Sequence, residues 1–235
     1  MTVQEVMQEL ESMGSEQTRK IFGRHNGPEK MFGVKVADLK KILKKIKKDH
    51  GLAMELYNTG NADAQYLAGL AADPKQMSRE DLKNWAETAS WQMVAEYSVA
   101  WNVGESEYCI ELCEEWRQSG QERMEQVAWA SLGAHMIYDK REPIDKDYLI
   151  SLINEVVKTI HGKSNRVKYV MNGFIIAVGS AEPDLYAECM SAAKEIGKVE
   201  VFMGETSCKV PFAPEYLEKI KKMGRLGNKK KTLKC

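Results

Sequence analysis

A run of lysines at helical spacing forms the first candidate binding site. Seven lysines fall within fourteen residues; the only acid among them is Asp38, and Asp49 follows directly. Lysines on one helix face can neutralise the phosphates of a nucleic acid without reading its sequence. The pattern therefore predicts a phosphate-binding surface, and the alternative is the solvated face of an amphipathic helix. The seven are Lys35, Lys40, Lys41, Lys44, Lys45, Lys47 and Lys48, of which Lys40, Lys44, Lys47 and Lys48 share one face.

Two further basic clusters lie later in the chain. The stretch HGKSNRVKY places Lys163, Arg166 and Lys168 at the start of a predicted helix, where the helix N-terminus favours phosphate. From Lys209 to Cys235 there are nine basic and two acidic residues. This region is predicted to end in a mobile basic tail, which would serve nucleic-acid binding or solubility.

Aromatic residues are concentrated in NWAETASWQMVAEYSVAWNVG, which runs from Asn84 to Gly104 and holds three tryptophans. Trp91 has helical spacing to Trp101, so it either packs in the core or faces a nucleic acid. One helical turn after Trp91, where a polar partner could stand, the residue is Ala95, and Glu96 follows. The other tryptophans have the apolar spacing of core residues.

Cysteine and histidine usage predicts neither a disulfide framework nor a metal site. The five cysteines are an odd number, which fits a reducing compartment. Cys109 and Cys113 would share a helix face, but no further ligands stand near them in sequence. No cofactor is expected.

Composition limits the class of protein. Lys+Arg and Asp+Glu both number 34, which excludes a uniformly basic protein but not local patches. No apolar run approaches the roughly 20 residues needed to span a bilayer. The start, MTVQEVMQELESMG, is acidic and amphipathic, unlike a secretory signal. These features predict a cytoplasmic protein with no membrane partner.

The elements that must position these residues are helices. Apolar residues repeat with a helical period along most of the chain, and the one short β-like run is KVEVFMG at 198–204. Helix pairs recurring about every 35–40 residues predict an all-α solenoid of HEAT-like antiparallel pairs, with a globular helix bundle as the alternative. We expect one solenoid domain over 1–212, followed by a helix and basic tail over 213–235. The segment GETSCKVP, at 204–211, is expected to be a loop that packs this tail against the solenoid.

Five segments in order and spacing resemble the AlkD-type DNA alkylation repair family, across roughly residues 1–200. They are GVKVADLKKILKKI, NADAQYLAGLAADP, SWQMVAEYSVAWNVG, SGQERMEQVAWASLG and NRVKYVMNGFIIAVG. The resemblance implies a solenoid whose concave, basic face holds duplex DNA. It also implies a glycosylase ancestry, since active members release N3- or N7-alkylated purines without a metal or organic cofactor. Their carboxylate stabilises the positive charge that develops on the sugar.

Carrying the family pattern over suggests that this chemistry is impaired. Trp91 matches the family's tryptophan, and Ala95 stands where the catalytic Asp belongs. Glu96 is one residue further, which rotates it by about 100 degrees in a regular α-helix, so it is expected to point elsewhere. Two more family positions differ: Glu125 and Gln126 fall where basic residues are expected, and Met171-Asn172 replaces a Gly-Trp pair after Lys168.

The favoured hypothesis is a monomeric protein that binds damaged or distorted double-stranded DNA, with weak or no base excision. One alternative is an active glycosylase, with Trp91 and Glu96 as candidate catalytic residues. Another is a scaffold that binds protein partners. The predicted DNA-binding residues are Lys35, Lys40, Lys41, Lys44, Lys47, Lys48, Trp91, Lys163, Arg166, Lys168 and Lys209.

Overall fold

The computed structural model describes residues 1–234, which fold into helices joined by short turns. The first six are α1 (Val3–Met13), α2 (Glu16–Arg24), α3 (Val36–Ile46), α4 (His50–Asn58), α5 (Ala62–Ala71) and α6 (Arg79–Thr88). A π-helical segment, Val94–Val99, then continues directly into α7 (Ala100–Gly104). The others are α8 (Cys109–Arg117), α9 (Glu122–Met136), α10 (Lys146–Thr159), α11 (Asn165–Ala181), α12 (Tyr186–Ile196) and α13 (Ala213–Lys222).

Side chains before the first turn of several helices fix where those helices begin. Thr2 and Glu5 form a reciprocal capping box at α1, as their spacing predicts. Asn61 accepts hydrogen bonds from two backbone N–H groups at the start of α5. Each bond satisfies a backbone donor that the helix leaves without a partner, and such caps are worth about 1 kcal/mol.

The helices form two layers. In layer A, α3, α5, α7, α9 and α11 pack side by side in chain order. Layer B consists of α4, α6, α8, α10 and α12, which cover one side of layer A. The prediction of an all-α solenoid of helix pairs is confirmed, because neighbouring pairs stack in sequence instead of surrounding one central core. We call the side of layer A that layer B leaves uncovered the open face.

One close helix contact positions the π-helical segment. Every residue of α5 is buried, and its Gly69 lies against Ser98. A Cβ atom at position 69 would lie 2.3 Å from the Cβ of Ser98, so only glycine permits this approach. The contact holds the π-helical segment against α5.

Residues 198–212, which we call the bridging segment, connect the two ends of the solenoid. The Asn165 side chain of α11 forms two hydrogen bonds with the backbone of Phe202, at 2.6 and 2.7 Å. The segment then reaches α2, where Glu205 N–H donates to the carbonyl of Arg24 at 3.1 Å. Gly204 has a φ of +78°, and a Cβ there would lie 1.9 Å from the Arg24 oxygen. The segment is extended backbone with a turn, and it contains no regular strand.

Residues 225–234, the docked tail, cross the carboxyl ends of four layer A helices. Backbone N–H groups of Gly227 and Lys230 donate to carbonyls at the ends of α11 and α9, at 2.8 and 2.7 Å. Leu233 is buried beside Gly104 at the end of α7. Lys234 Nζ donates to the carbonyl of Ala72, just after α5, at 2.5 Å. The prediction of a mobile tail is wrong for these residues, because the last carbonyls of the helices supply acceptors that a sequence pattern does not show.

None of the helices in residues 1–234 is long and apolar enough to cross a membrane. The division of the chain at residue 212 stays a prediction.

Candidate nucleic-acid interface

A π-helical turn decides which side chains of the predicted site face outwards. A π-helix adds one residue to the turn, so each later side chain shifts by one position relative to an α-helix. Ala95 is fully buried, whereas Glu96 reaches polar partners on α9 and α11. The expectation that Glu96 points elsewhere assumed a regular α-helix, and the π-turn changes that register; whether Glu96 takes the place of the family's carboxylate stays a prediction. Ala95 lies in the core, and Glu96 occupies the open face one π-turn after Trp91.

Glu96 is held by a two-point ion pair. Arg166 Nε donates to Glu96 Oε1 at 2.8 Å, and Arg166 Nη2 donates to Oε2 at 2.5 Å. Gln126 Nε2 adds a third bond to Oε1 at 2.7 Å. The side chains of Glu96 and Arg166 are only 6% and 14% exposed. Both carboxylate oxygens are thus occupied, and the negative charge is neutralised at short range.

Arg166 also joins α11 to the bridging segment. Its guanidinium lies 4.3 Å from the centre of the Tyr169 ring, and Nη1 contacts the Met203 sulfur at 3.7 Å. Burial raises the pKa of the Tyr169 hydroxyl, and the nearby Glu96 charge adds to this. Arg166, predicted to bind DNA, is therefore already engaged by Tyr169 on one face of its guanidinium and by Glu96 and Met203 through its N–H groups.

A second guanidinium, that of Arg123, was missed by the sequence reasoning. It lies at the start of α9, half buried, and donates to the carbonyl of Trp91 over 3.5 Å. Burial lowers the pKa of Arg123, opposed by the nearby Tyr57 and Glu96. The resemblance implied basic residues at positions 125 and 126, where Glu125 and Gln126 stand, and Arg123 lies just before them in the same helix. Whether Arg123 takes their role stays a prediction.

Trp91 is oriented towards α2. Its side chain is buried, its indole Nε1 donates to the carbonyl of His25 at 3.0 Å, and its ring centre lies 5.2 Å from that of Phe22. Gln92 donates to the same carbonyl at 2.9 Å. These contacts tie the residues just before the π-helical segment to α2, and a direct role for Trp91 in DNA binding stays a prediction.

The predicted phosphate-binding lysines fall into two groups. One is the stripe on α3 and its flanks, where Lys41 pairs with Asp38 at 2.7 Å and the other predicted members have no ion pair among residues 1–234. The other group, which we call the α11 group, surrounds the start of α11. There Lys163 pairs with Glu125 at 2.5 Å, Lys168 is half buried and Lys209 is exposed on the bridging segment. Five of the six members of the α3 group are exposed, and they are Lys35, Lys41, Lys44, Lys47 and Lys48, with Lys40 half buried.

The carboxyl-terminal half of the open face is apolar. A groove of about 230 Å³ runs between α7, α9 and α11, with Glu96 at one end. Its walls and floor combine aromatic rings with small residues, including Tyr97, Trp101, Gly133, Ala134, Tyr169 and Gly173. We call it the apolar groove.

Within the described chain no group of three or more His, Cys, Asp or Glu side chains could hold a metal ion. Cys109 and Cys113 are both buried, and their hydrogen bond together with burial raises the pKa of the Cys109 thiol. They lie in the packing between α8 and its neighbours, away from the open face.

Comparisons with known proteins agree with this architecture. The DNA alkylation repair enzyme family matches residues 6–201. An uncharacterised protein of Listeria innocua is 33% identical over 219 residues, 91% of this chain and 94% of the relative. One from Listeria monocytogenes is 32% identical over the same extent. A solved structure with TM-score 0.89 and 35% identity, covering 100% of both chains, is from a family related to the HEAT-like repeat DNA glycosylases with affinity for branched DNA structures. This chain has the HEAT-like fold and belongs to the DNA alkylation repair enzyme family.

Proposed function

We propose that this protein binds branched or otherwise distorted DNA on the open face of layer A, with weak or no base excision. The observation that carries the proposal is the full-length structural match to a protein family with affinity for branched DNA. The two groups of basic residues support it independently, because they supply the phosphate contacts that DNA binding requires.

The placement of these groups suits DNA with more than one arm. The α3 group stands at the first helix of layer A, and the α11 group stands at its last helix. A branched molecule presents separate phosphate backbones, so each group can follow a different arm. Phosphate contacts of this kind fix position without reading sequence, which agrees with recognition of shape.

The state of Glu96 argues for weak excision. A carboxylate that stabilises a cationic sugar acts through its unneutralised charge in a site prepared for that charge. Glu96 instead accepts three hydrogen bonds, two of them from Arg166. Its negative field is largely cancelled before any substrate arrives.

We expect that changing Lys40, Lys44 and Lys47 together to alanine weakens binding to branched DNA and flattens its dependence on salt. Each lost phosphate contact lowers the slope of log K against log salt by about 0.9. The measurement is a fluorescence-anisotropy titration at several salt concentrations. Lys45→Ala is the matched control, because Lys45 lies on the same helix but pairs with Glu9. Unchanged affinity and slope in the triple variant would contradict the role of the α3 group.

Active base excision is the second candidate, and the position of Glu96 on the open face favours it. If Glu96 is catalytic, the protein releases 7-methylguanine from methylated duplex DNA, and Glu96→Gln abolishes the release. We expect no release above the uncatalysed rate. Release by the wild type that disappears in Glu96→Gln would establish the enzyme and overturn our preference for binding alone.

A further inference from the structure

The apolar groove lies where a solenoid helix normally shows polar side chains to water. On α9 and at its C-cap the partly exposed positions that line the groove are Ala130, Gly133, Ala134 and Ile137, at the i, i+3, i+4, i+7 spacing of one helix face. An apolar groove of this kind is a candidate place for another molecule to dock.

The fold does not require the two glycines of this groove. Both lie inside helices with ordinary negative φ. A Cβ at Gly173 would meet nothing within 4 Å, and one at Gly133 would find its nearest atom at an ordinary 3.6 Å. Glycine inside a helix costs about 1 kcal/mol relative to alanine. What these glycines provide is therefore the depth of the groove, which larger side chains at the two positions would reduce.

The walls of the groove carry flat rings. Tyr97 is 38% exposed, and its ring centre lies 5.5 Å from that of Trp101. Tyr169 stands on the α11 side, beside the Arg166 guanidinium. The fully buried indole Nε1 of Trp129, which also lines the groove, has no hydrogen-bond partner among residues 1–234. Aromatic rings and guanidinium planes are the surfaces on which unpaired bases stack in proteins that bind single strands.

Exposed positive charge stands at one end of the groove. At the other end Arg166 is neutralised by Glu96, whereas here the docked tail meets the groove, where Lys230 N–H donates to the carbonyl of Ile137. Lys230 and Lys231 are both exposed there. Phosphates that flank a base in the groove would meet these cations, whereas an apolar peptide would gain nothing from them. The volume of about 230 Å³ is below the roughly 300 Å³ at which pockets for drug-sized ligands begin, so it suits one ring system.

We propose that the apolar groove seats an unpaired base of branched DNA, stacked on Tyr97 and Tyr169, with its phosphates beside the tail lysines. This inference rests on the proposed function and adds to it the feature by which a branch differs from an intact duplex. A fully paired duplex keeps its bases stacked inside, so it cannot fill the groove.

The test uses branched DNA with 2-aminopurine at an unpaired position, and fully paired duplex as the comparison. Stacking in the groove is expected to quench the 2-aminopurine fluorescence on binding. Gly173→Leu, which fills the groove, is expected to abolish the change and lower affinity for the branch about tenfold, equivalent to about 1.4 kcal/mol. Its affinity for paired duplex should match that of the wild type. Gly23→Leu is the matched control, because a Cβ at this helical glycine of α2 also meets nothing within 4 Å.

Thermal unfolding of both variants shows whether the fold is intact, and Tyr97→Ala provides a second probe of the groove if Gly173→Leu is unstable. Salt-dependent binding to branched DNA without a fluorescence change, and with wild-type affinity in these variants, overturns the groove proposal while the proposed function stands. Absence of binding to any DNA overturns both.

Discussion

Glu96→Ala is expected to lower the free energy of unfolding by about 3–5 kcal/mol, the usual cost of removing one partner from a buried ion pair. The substitution leaves Arg166 as a nearly buried cation whose Nε and Nη2 have lost their acceptors. Urea denaturation followed by circular dichroism measures the change. Glu200→Ala is the matched control, because the pair of Glu200 with Lys198 is about 80% exposed on both sides and such pairs contribute about 0–1 kcal/mol.

Adding Arg166→Ala to Glu96→Ala should recover part of the loss, because the unpaired charge is then gone. The coupling from this double-mutant cycle separates the pair from the packing of each side chain. If Glu96→Ala is no more destabilising than Glu200→Ala, the pair does not hold the π-helical segment to α11, and Glu96 is not neutralised as a buried partner of Arg166.

The second large effect is a dependence of stability on pH that comes from Lys234. Burial lowers the pKa of this amine from 10.5 to about 8, although Glu105 opposes the shift. Between these two values the folded protein binds fewer protons than the unfolded chain, so the contribution of Lys234 to stability rises with pH. Below about pH 8 both states carry the charge, and the folded state bears its full desolvation penalty.

Between pH 8 and pH 10.5, the unfolding free energy of the wild type should therefore rise relative to that of Lys234→Met by on the order of 3 kcal/mol, because the pKa of Lys234 is lowered from 10.5 to about 8. The measurement is the difference in unfolding free energy between the two proteins across that range. Tyrosine side chains titrate in the same pH range in both proteins, so their contribution to the unfolding free energy largely cancels in the difference. Lys231→Met, at an exposed position of the same tail, serves as the control. A difference that stays flat with pH would show that Lys234 is not buried as a docked cation.

The helices and the core could be predicted from local patterns. The capping box at Thr2 is present, and Trp85, Trp116 and Trp129 are buried as their apolar spacing predicts. The pairing of helices into a solenoid followed from helix lengths and short turns. These features depend on residues that are close together in the sequence, so local sequence patterns indicate them.

The site was less predictable because two of its determinants are not local. The π-turn at Val94–Val99 shifts the register by one residue, and the tight contact of Gly69 with Ser98 that accompanies it becomes visible only in the packed fold. The ion pair of Glu96 with Arg166 joins residues 70 positions apart. The burial of the docked tail could not be predicted from its sequence either, because Leu233 is the one fully apolar side chain that it buries.

The two connections between distant parts of the chain change how the array holds together. In an open repeat protein each unit touches only its neighbours, so the ends fray independently and stability is a sum of local terms. Here the bridging segment joins α11 to α2, and Lys234 reaches Ala72 across 162 positions. Loss of either end unit therefore breaks contacts made by the other end. We therefore expect the repeats to unfold as one cooperative unit. Because these contacts close large loops, we also expect them to form late and to slow the folding of the whole array.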